Sequence, residues 1–220
     1  MKIFTILFEN DEIILINKEA GVSVQGGAGI SHSLDQDLSV QMGYKIFLVH
    51  RLDKETSGIL IVAKSSSAAA KWTNLISTDE VQKEYTAWCF GKPVIKGKEM
   101  TCGTLSGTIE AHGRTQKSIT KFKVVETRKI SVETEDGIKE FELSKLHLTL
   151  GTGRMHQIRI QLAKAGCPIV ADDKHGNFKL NKLAKKLGMK KLMLASTRLT
   201  IPVNGEAKVF EIDLPSHFVV

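Results

Sequence analysis

The chain is a succession of short apolar runs separated by polar turns. Ile3–Phe8 and Glu12–Asn17 are rich in Ile, Leu and Phe and flank a turn at Asn10-Asp11, which predicts a β-hairpin. Asp136-Gly137 and Asn204-Gly205 are turn dipeptides of the kind that favours two-residue hairpin loops. The pattern therefore predicts several antiparallel strand pairs.

Further apolar runs predict the strands Phe47–His50, Gly58–Ala63, Lys83–Phe90, Ile119–Glu126, Glu140–Glu142, Leu146–Leu150, Leu199–Val203 and Lys208–Ile212. Helical spacing of apolar residues predicts the helices Ala68–Ile76, Gln157–Ala165 and Leu180–Leu187. The polar, glycine-rich stretch Glu99–Lys117 predicts an insertion or an extended loop. Because strands outnumber helices and hairpin turns recur, we expect one α+β domain over residues 1–220, with a largely antiparallel mixed sheet flanked by helices and loops.

Charge and composition narrow the class of protein. The net charge of the 220-residue chain is +7, which suits a polyanionic partner such as nucleic acid. No signal-peptide pattern and no apolar run long enough to span a membrane is found. Cys89, Cys102 and Cys167 form neither a disulfide framework nor a metal-binding pair. A reduced, cytoplasmic protein follows as the expectation.

A polar segment between two predicted strands carries the first candidate chemistry. His50–Gly58 reads HRLDKETSG, and a short polar loop on a rigid scaffold is a favourable place for a functional site. The Asp53 carboxylate could serve there as nucleophile or base without a metal. A turn held together by an Arg51–Asp53 salt bridge is the structural alternative.

Two further stretches carry candidate side chains. Tyr85 opens a strand, where it would be either an aromatic core residue or a stacking platform with a hydroxyl at its tip. Arg154 precedes the predicted helix Gln157–Ala165 and Arg159 lies within it. Both guanidinium groups suit a phosphate or carboxylate, with a solvated helix face as the alternative. His156 has no second histidine at metal-ligand spacing, so we expect no metal.

Together these stretches resemble the RluA-type family of pseudouridine synthases. The matching segments are IILINKEAG at 13–21, HRLDKETSG at 50–58, KEY at 83–85, GRMHQIR at 153–159 and GCPIVADDKHG at 166–176. The sequence departs from the family pattern at Glu19 for Pro, Met155 for Thr, Ala171 for Gly and His175 for Tyr. The match begins close to residue 6, so the N-terminal S4-type domain that often accompanies the family is not expected.

The resemblance implies an isomerase that converts uridine in RNA to pseudouridine without a cofactor or metal. The N1–C1′ bond breaks, the uracil turns, and C5 bonds to C1′. Because the base is unreachable in a stacked helix, it is flipped into the pocket at a cost of a few kcal/mol.

The family also implies roles for individual residues. Asp53 would be the catalytic carboxylate, acting on C1′, on a sugar proton or on the uracil ring, and Arg159 would pair with it. Tyr85 would be a second catalytic residue, which stacks on the uracil and assists deprotonation at C5. Arg51 would fill the gap in the RNA stack left by the flipped base. Further expected substrate-binding residues are Leu52, Thr56, Arg154, His156, Gln157 and Leu194.

Ribosomal RNA, transfer RNA or both are the expected partners, with ribosomal RNA favoured, and the expected state is a monomer. Six lysines within Lys179–Lys191 could follow RNA phosphates or form a solvated helix face. A catalytically silent RNA-binding protein on the same scaffold is the alternative, disfavoured by the intact Asp53, Tyr85 and Arg159. A nucleotide hydrolase or metal-dependent nuclease is disfavoured because no P-loop or ligand cluster is present.

Overall fold

A computed structural model describes residues 3–27, 29, 31–111 and 114–220 of the chain. Its strands are β1 Thr5–Glu9, β2 Ile13–Lys18, β3 Phe47–Leu48, β4 Ser57–Ala63, β5 Gln82–Phe90, β6 Val94–Ile95, β7 Lys98–Glu99, β8 Cys102–Ala111, β9 Arg114–Thr134, β10 Gly137–Leu150, β11 Leu194–Val203 and β12 Glu206–Glu211. Its helices are α1 Leu34–Met42, α2 Ser66–Leu75, α3 Gln157–Lys164 and α4 Phe178–Lys186, with a 3-10 turn at Ser216–Phe218.

The chain divides into two compact units. The first unit comprises Met1–Lys83 and Ala195–Asp213, and the second comprises Glu84–Leu194 and Leu214–Val220. The first unit is therefore discontinuous in sequence, because the segment Glu84–Leu194 of the second unit separates its two parts. The single catalytic domain expected over residues 1–220 stays a prediction.

The first unit is a sheet covered by α2. Its strands run in the order β1-β2-β4-β11, with β3 paired to β4 and β12 paired to β11. Every residue of β4 is buried, which explains its unbroken apolar run. Trp72 and Ala68 of α2 pack with Ile59 and Ile61 in one hydrophobic cluster. The N-terminus of α2 is capped by Ser65, whose Oγ accepts a hydrogen bond from Ala68 N at 3.1 Å.

Gly58 sets how closely β4 and β11 approach each other. The two strands are parallel, with Gly58 opposite Ser196. A Cβ atom at Gly58 would lie 2.1 Å from the Ser196 carbonyl oxygen, and the φ angle of Gly58 is +112°. Only glycine satisfies both the backbone conformation and the contact.

The second unit is built on the strand order β5-β10-β9-β8. β9 and β10 form a long hairpin with a bulge between Lys145 and Leu146. α3 is tied to this sheet through Gln161, whose Oε1 accepts from Thr120 Oγ1 at 2.6 Å and whose Nε2 donates to Leu105 O at 3.1 Å. The N-terminus of α4 is capped by Asn177.

The expected α+β architecture with a largely antiparallel sheet is confirmed, as are the hairpins around Asn10-Asp11 and Asn204-Gly205. The prediction of an extended loop over Glu99–Lys117 is wrong, because its described residues other than Met100 and Thr101 form the end of β7, β8 and the start of β9. Residues 112 and 113 of that stretch lie outside the described residues. The two separate runs Glu140–Glu142 and Leu146–Leu150 belong to the single strand β10.

Helix α1 is an element that the apolar pattern did not predict. Its buried residues are Leu34 and Leu38, one turn apart, so its apolar stripe is too narrow to stand out in the sequence. Gly43 ends the helix in the left-handed conformation, with its N–H bonded to Val40 O.

Candidate active site

The loop that carries Asp53 connects β3 to β4 in the first unit and is held at its base by Lys18. The Lys18 side chain is fully buried. Its ammonium group donates to the carbonyl oxygens of Lys54, Glu19 and Val22, each at 3.0 Å. Because three carbonyls satisfy the three donors of an ammonium group, the charge is tolerated in the interior. Lys18 therefore fixes the backbone immediately after Asp53.

His50 holds the other end of the same loop. Its Nε2 accepts a hydrogen bond from the backbone N–H of Ile61 at 3.0 Å, which requires an unprotonated nitrogen. Burial lowers the pKa of His50 to about 3, with a further contribution from the positive charge of Lys83. His50 is thus neutral at physiological pH and serves as a structural acceptor.

Within this loop the side chains face different environments. Arg51 is exposed to solvent, and Asp53 is partly buried. Leu52 and Thr56 are buried, with 4% and 2% of their surface exposed. The Thr56 N–H donates to the Asp53 carbonyl oxygen at 3.1 Å and closes the turn. The loop presents Arg51 outwards and uses Leu52 and Thr56 in its interior.

Arg159 of α3, in the second unit, forms a buried ion pair with Asp172. Its Nε and Nη2 donate to the two carboxylate oxygens at 2.9 and 2.7 Å, a bidentate geometry. Both side chains are buried, with 8% and 1% exposed. Burial alone would raise the pKa of Asp172, but the hydrogen bond from Arg159 and two backbone N–H groups hold this pKa below its ordinary value.

The Asp172 carboxylate is itself held by the segment around it. Its Oδ1 also accepts from the backbone N–H groups of Lys174 and His175, at 3.0 and 2.9 Å. Asn181 of α4 donates to the Asp172 carbonyl at 3.0 Å and accepts from Ala171 N at 2.9 Å. The guanidinium of Arg159 is therefore oriented by a rigid support.

One departure from the family pattern lies within this support. Ala171 stands where the pattern has glycine, and its φ angle is +58°. That left-handed conformation costs an alanine roughly 1–2 kcal/mol relative to glycine. Five residues on, Gly176 must be glycine, since an added Cβ would lie 2.2 Å from the Asp172 carbonyl oxygen.

Gln157 organises the glycine-rich loop before α3. Its Oε1 accepts from Thr152 Oγ1 at 2.7 Å and from Arg154 N at 3.1 Å. Its Nε2 donates to Ile119 O at 2.9 Å and to Thr120 Oγ1 at 3.0 Å. With its amide engaged in four hydrogen bonds within the protein, Gln157 shapes the loop, whereas Arg154 at the loop's tip is exposed.

His156 and His175 form a pair beside this loop. Nδ1 of His156 lies 2.8 Å from Nε2 of His175, so one ring donates and the other accepts. His156 occupies the N-cap position of α3 with a φ angle of +53°. The histidine that replaces the family's tyrosine at position 175 therefore has a partner within the same unit.

The remaining candidate residues of the second unit are buried. Tyr85 lies on β5 with 7% of its surface exposed, and Leu194 lies at the start of β11 with 3% exposed. Asp53 belongs to the first unit, and Tyr85 and Arg159 belong to the second. The pairing of Asp53 with Arg159 and the stacking of Tyr85 on uracil stay predictions.

The sequence analysis assigned no role to Lys18, His50 or Asp172, although all three lie inside the matching segments. Their roles depend on contacts with distant carbonyl, amide and guanidinium groups, which a one-dimensional pattern does not display. The signal that could have singled out Asp172 is a charged residue directly after the apolar run Pro168–Ala171. Lys18 is separated from its apolar run by Asn17, which makes the signal weaker there.

Two broader features of the described residues bear on the kind of site. Across residues 3–27, 29, 31–111 and 114–220, no group of three or more His, Cys, Asp or Glu side chains could hold a metal ion. Within the same ranges, no helix is long and apolar enough to cross a membrane.

Comparison with known proteins identifies the family. Residues 12–164 match the sequence profile of RNA pseudouridylate synthases. Ribosomal large subunit pseudouridine synthase C of Rickettsia prowazekii is 32% identical over 219 residues, covering 93% of this chain and 67% of that protein. The protein of the same name from Rickettsia bellii is 35% identical, covering 97% of this chain and 69% of its own length.

Solved structures support the fold. The structure of human RNA pseudouridylate synthase domain containing 1 has a TM-score of 0.72 at 23% identity, covering 98% of this chain and 84% of that chain. That of human RNA pseudouridylate synthase domain containing 4 has a TM-score of 0.71 at 23% identity, covering 97% and 89%. The family profile and the curated relatives confirm the resemblance to RluA-type enzymes. The chain belongs to the RNA pseudouridylate synthase family and is an RNA pseudouridine synthase, an isomerase.

Proposed function

We propose that this enzyme converts uridine in ribosomal RNA to pseudouridine, with Asp53 as the catalytic carboxylate. Ribosomal RNA is proposed as the substrate because the two curated relatives described above are named for the large ribosomal subunit. Their alignments cover 93% and 97% of this chain at 32% and 35% identity. The proposal for Asp53 is supported by its loop, which Lys18 and His50 fix at either end.

The reaction is an isomerisation with no net change in composition. The N1–C1′ bond of the nucleotide breaks, a C5–C1′ bond forms, and the proton lost from C5 is balanced by one gained at N1. An aspartate can take part without a metal, as nucleophile or as base. A carboxylate held rigidly near the sugar is effective because its orientation is settled before the substrate binds.

Arg159 is the proposed partner of the catalytic carboxylate. Two of the five N–H donors of its guanidinium face Asp172, so the remaining donors point in fixed directions. A buried arginine held in this way is suited to orient a second carboxylate. Tyr85 is the proposed stacking partner of the uracil ring, which suits an aromatic residue with little exposed surface.

Arg51 and the lysines of α4 are proposed to contact the RNA outside the reactive centre. Arg51 is exposed and carries a planar guanidinium that can stack on bases. The lysines of α4 and of the segment after it are exposed at positions 179, 182, 185, 186, 190 and 191. Such a helix can neutralise phosphates and contribute salt-dependent affinity.

The test compares Asp53→Asn with Glu55→Gln, which removes an exposed carboxylate two residues further along the same loop. Purified proteins are incubated with unmodified ribosomal RNA, and pseudouridine is mapped through carbodiimide adducts that stop reverse transcription. We expect the wild type and Glu55→Gln to form pseudouridine at the same sites and Asp53→Asn to form none. Continued turnover by Asp53→Asn would remove this residue from the mechanism.

The same assay separates the enzyme from the catalytically silent alternative. Wild-type protein that binds RNA but forms no pseudouridine in either ribosomal or transfer RNA would favour a binding protein. Modification of transfer RNA alone would overturn the ribosomal substrate and leave the reaction intact. Tyr85→Phe keeps the ring and removes the hydroxyl, so unchanged turnover would confine Tyr85 to stacking.

A further inference from the structure

One face of the sheet in the second unit carries three exposed lysines. Side chains alternate along β9, so that Ser118, Thr120 and Phe122 are buried. Lys117, Lys121 and Lys123 lie at the alternate positions and are exposed. The three lysines therefore share one face, which we call the lysine face.

The strands on either side of β9 place threonine, cysteine and histidine side chains opposite these lysines. The directly paired residues are Thr108 for Lys117, Thr104 and Thr149 for Lys121, and Cys102 and His147 for Lys123. Opposite charges are thus missing at all five paired positions, and the acidic Glu110 lies diagonally beyond Lys117 at the end of β8. Because the directly paired residues carry no carboxylate, the three lysines give this face a positive potential.

The opposite face of the same sheet is covered by α3. Gln161 of this helix donates to Ser118 Oγ at 3.1 Å, and Thr120 Oγ1 donates to Gln161 Oε1 at 2.6 Å. Because Ser118 and Thr120 point toward α3, Lys117, Lys121 and Lys123 point away from it. Helix α3 therefore does not cover the lysine face.

The lysine face is continuous with the candidate substrate-binding loop. Arg154 Nε donates to the carbonyl oxygen of Lys117 at 3.4 Å. Two residues further along β9, Ile119 N donates to Thr152 Oγ1 at 3.0 Å. The loop that presents Arg154 is thus attached to the end of β9 at which the lysine face begins, and Arg154 adds a fourth exposed cation.

We propose that the lysine face, extended by Arg154, binds the phosphate backbone of the RNA that carries the target uridine. This inference rests on the proposed function and assigns that function a second contact surface. Alternate strand residues are separated by about 6.7 Å, so Lys121 and Lys123 would meet neighbouring phosphates and Lys117 one further along the RNA. Compact ammonium groups on flexible stems bind phosphates without reading bases.

The test compares two triple variants that change the net charge equally. K117Q/K121Q/K123Q neutralises the lysine face. K98Q/K129Q/K139Q neutralises three exposed lysines elsewhere in the second unit and serves as the control. The probe is a fluorescent oligouridine of about 20 nucleotides, whose binding is followed by anisotropy over a range of salt concentrations.

Each phosphate contact on a single strand contributes about 0.7 to the slope of log K against log salt concentration. Losing three contacts should lower that slope by about 2 and weaken binding by up to about 100-fold at roughly 0.1 M salt. The control variant should lose much less. Equal slopes for the two triple variants would overturn the lysine face as a phosphate-binding surface.

Turnover on ribosomal RNA provides a second, independent measurement. The lysine-face variant should raise KM and leave kcat unchanged, because the phosphates are bound equally in the ground state and the transition state. A KM equal to that of the control would again overturn the inference. If the wild type forms no pseudouridine, the proposed function fails, and the oligouridine slopes still decide the lysine face.

Discussion

Protonation of His50 should link the stability of the first unit to pH. Its Nε2 accepts from the N–H of Ile61, and its pKa in the folded protein is about 3, against 6.5 for an ordinary histidine. The unfolded chain therefore takes up a proton at a higher pH than the folded chain does. The stability that depends on the neutral imidazole is complete above about pH 6.5 and is lost as the pH falls towards 3.

The size of the effect follows from these two pKa values. Between pH 7 and pH 5 the unfolded histidine becomes almost fully protonated, and the folded one stays neutral. Linkage then lowers the free energy of unfolding by about 2 kcal/mol over this interval. That is a change of roughly 30-fold in the folding equilibrium constant, which equilibrium unfolding resolves easily.

The assay is urea unfolding of the wild type and of His50→Gln at pH 7, 6 and 5, followed by circular dichroism. Glutamine offers an amide oxygen as acceptor for Ile61 N–H but does not titrate, and all other histidines are common to the two proteins. The wild type should therefore lose about 2 kcal/mol more than the variant between pH 7 and pH 5. Equal losses would refute the reasoning, as would a His50 NMR signal that titrates near pH 6.5 in the folded wild type.

Three further predictions concern the supports of the site. Asp172→Ala should lower the free energy of unfolding by about 3–5 kcal/mol, because the buried Arg159 charge loses its carboxylate partner. Adding Arg159→Met should restore part of this loss, and a double variant whose effects simply add would contradict the reasoning. Gly58→Ala should cost at least about 1–3 kcal/mol through φ strain, with more from the contact with Ser196, so an unchanged melting temperature would rule it out. Lys18→Met should leave three carbonyl groups without a donor, at about 1–3 kcal/mol for each, and should lower kcat by loosening the loop that carries Asp53; wild-type kcat would argue against that anchoring role.

Each of these variants has a matched control. Glu142→Ala breaks a pair with Lys92 that is partly exposed in the same unit as Asp172 and should cost only about 0–1 kcal/mol. Gly107→Ala places a Cβ in open space on β8, since no heavy atom lies within 4 Å of it. Lys64→Met removes a lysine whose partner, Glu9, is itself partly exposed.

The sequence patterns predicted those elements that have a clear local signal, such as an apolar run or a turn dipeptide. β4 was evident because its apolar residues are buried on both faces, and the hairpin at Asn204-Gly205 was evident from the turn chemistry. β8 was not, because its exposed face is made of small polar residues and its glycines resemble those of a loop. At Gly103 the glycine reflects packing, since an added Cβ would lie 3.3 Å from side-chain atoms of Ile95 and Phe122.

For the candidate site, motifs indicated the family and the residues that we propose act on the substrate. They did not indicate the residues that hold those groups in place, because each support acts across the fold. Lys18 reaches the Lys54 carbonyl 36 positions away, and Asp172 reaches Arg159 only because the chain turns back after α3. Contacts of this kind depend on tertiary structure, which local periodicity does not encode.

The discontinuous first unit has a consequence for how the protein forms on the ribosome. Its sheet lacks β11 and β12 until the whole of Glu84–Leu194 has been translated, because those strands come from Ala195–Asp213. At about 5–20 residues per second, synthesis of the intervening segment takes roughly 5–20 seconds. During that interval one edge of β4 is unpaired, because β11 has not yet been synthesised. Unpaired strand edges promote aggregation. Nascent chains stalled before β11 should therefore be the species that molecular chaperones bind most strongly.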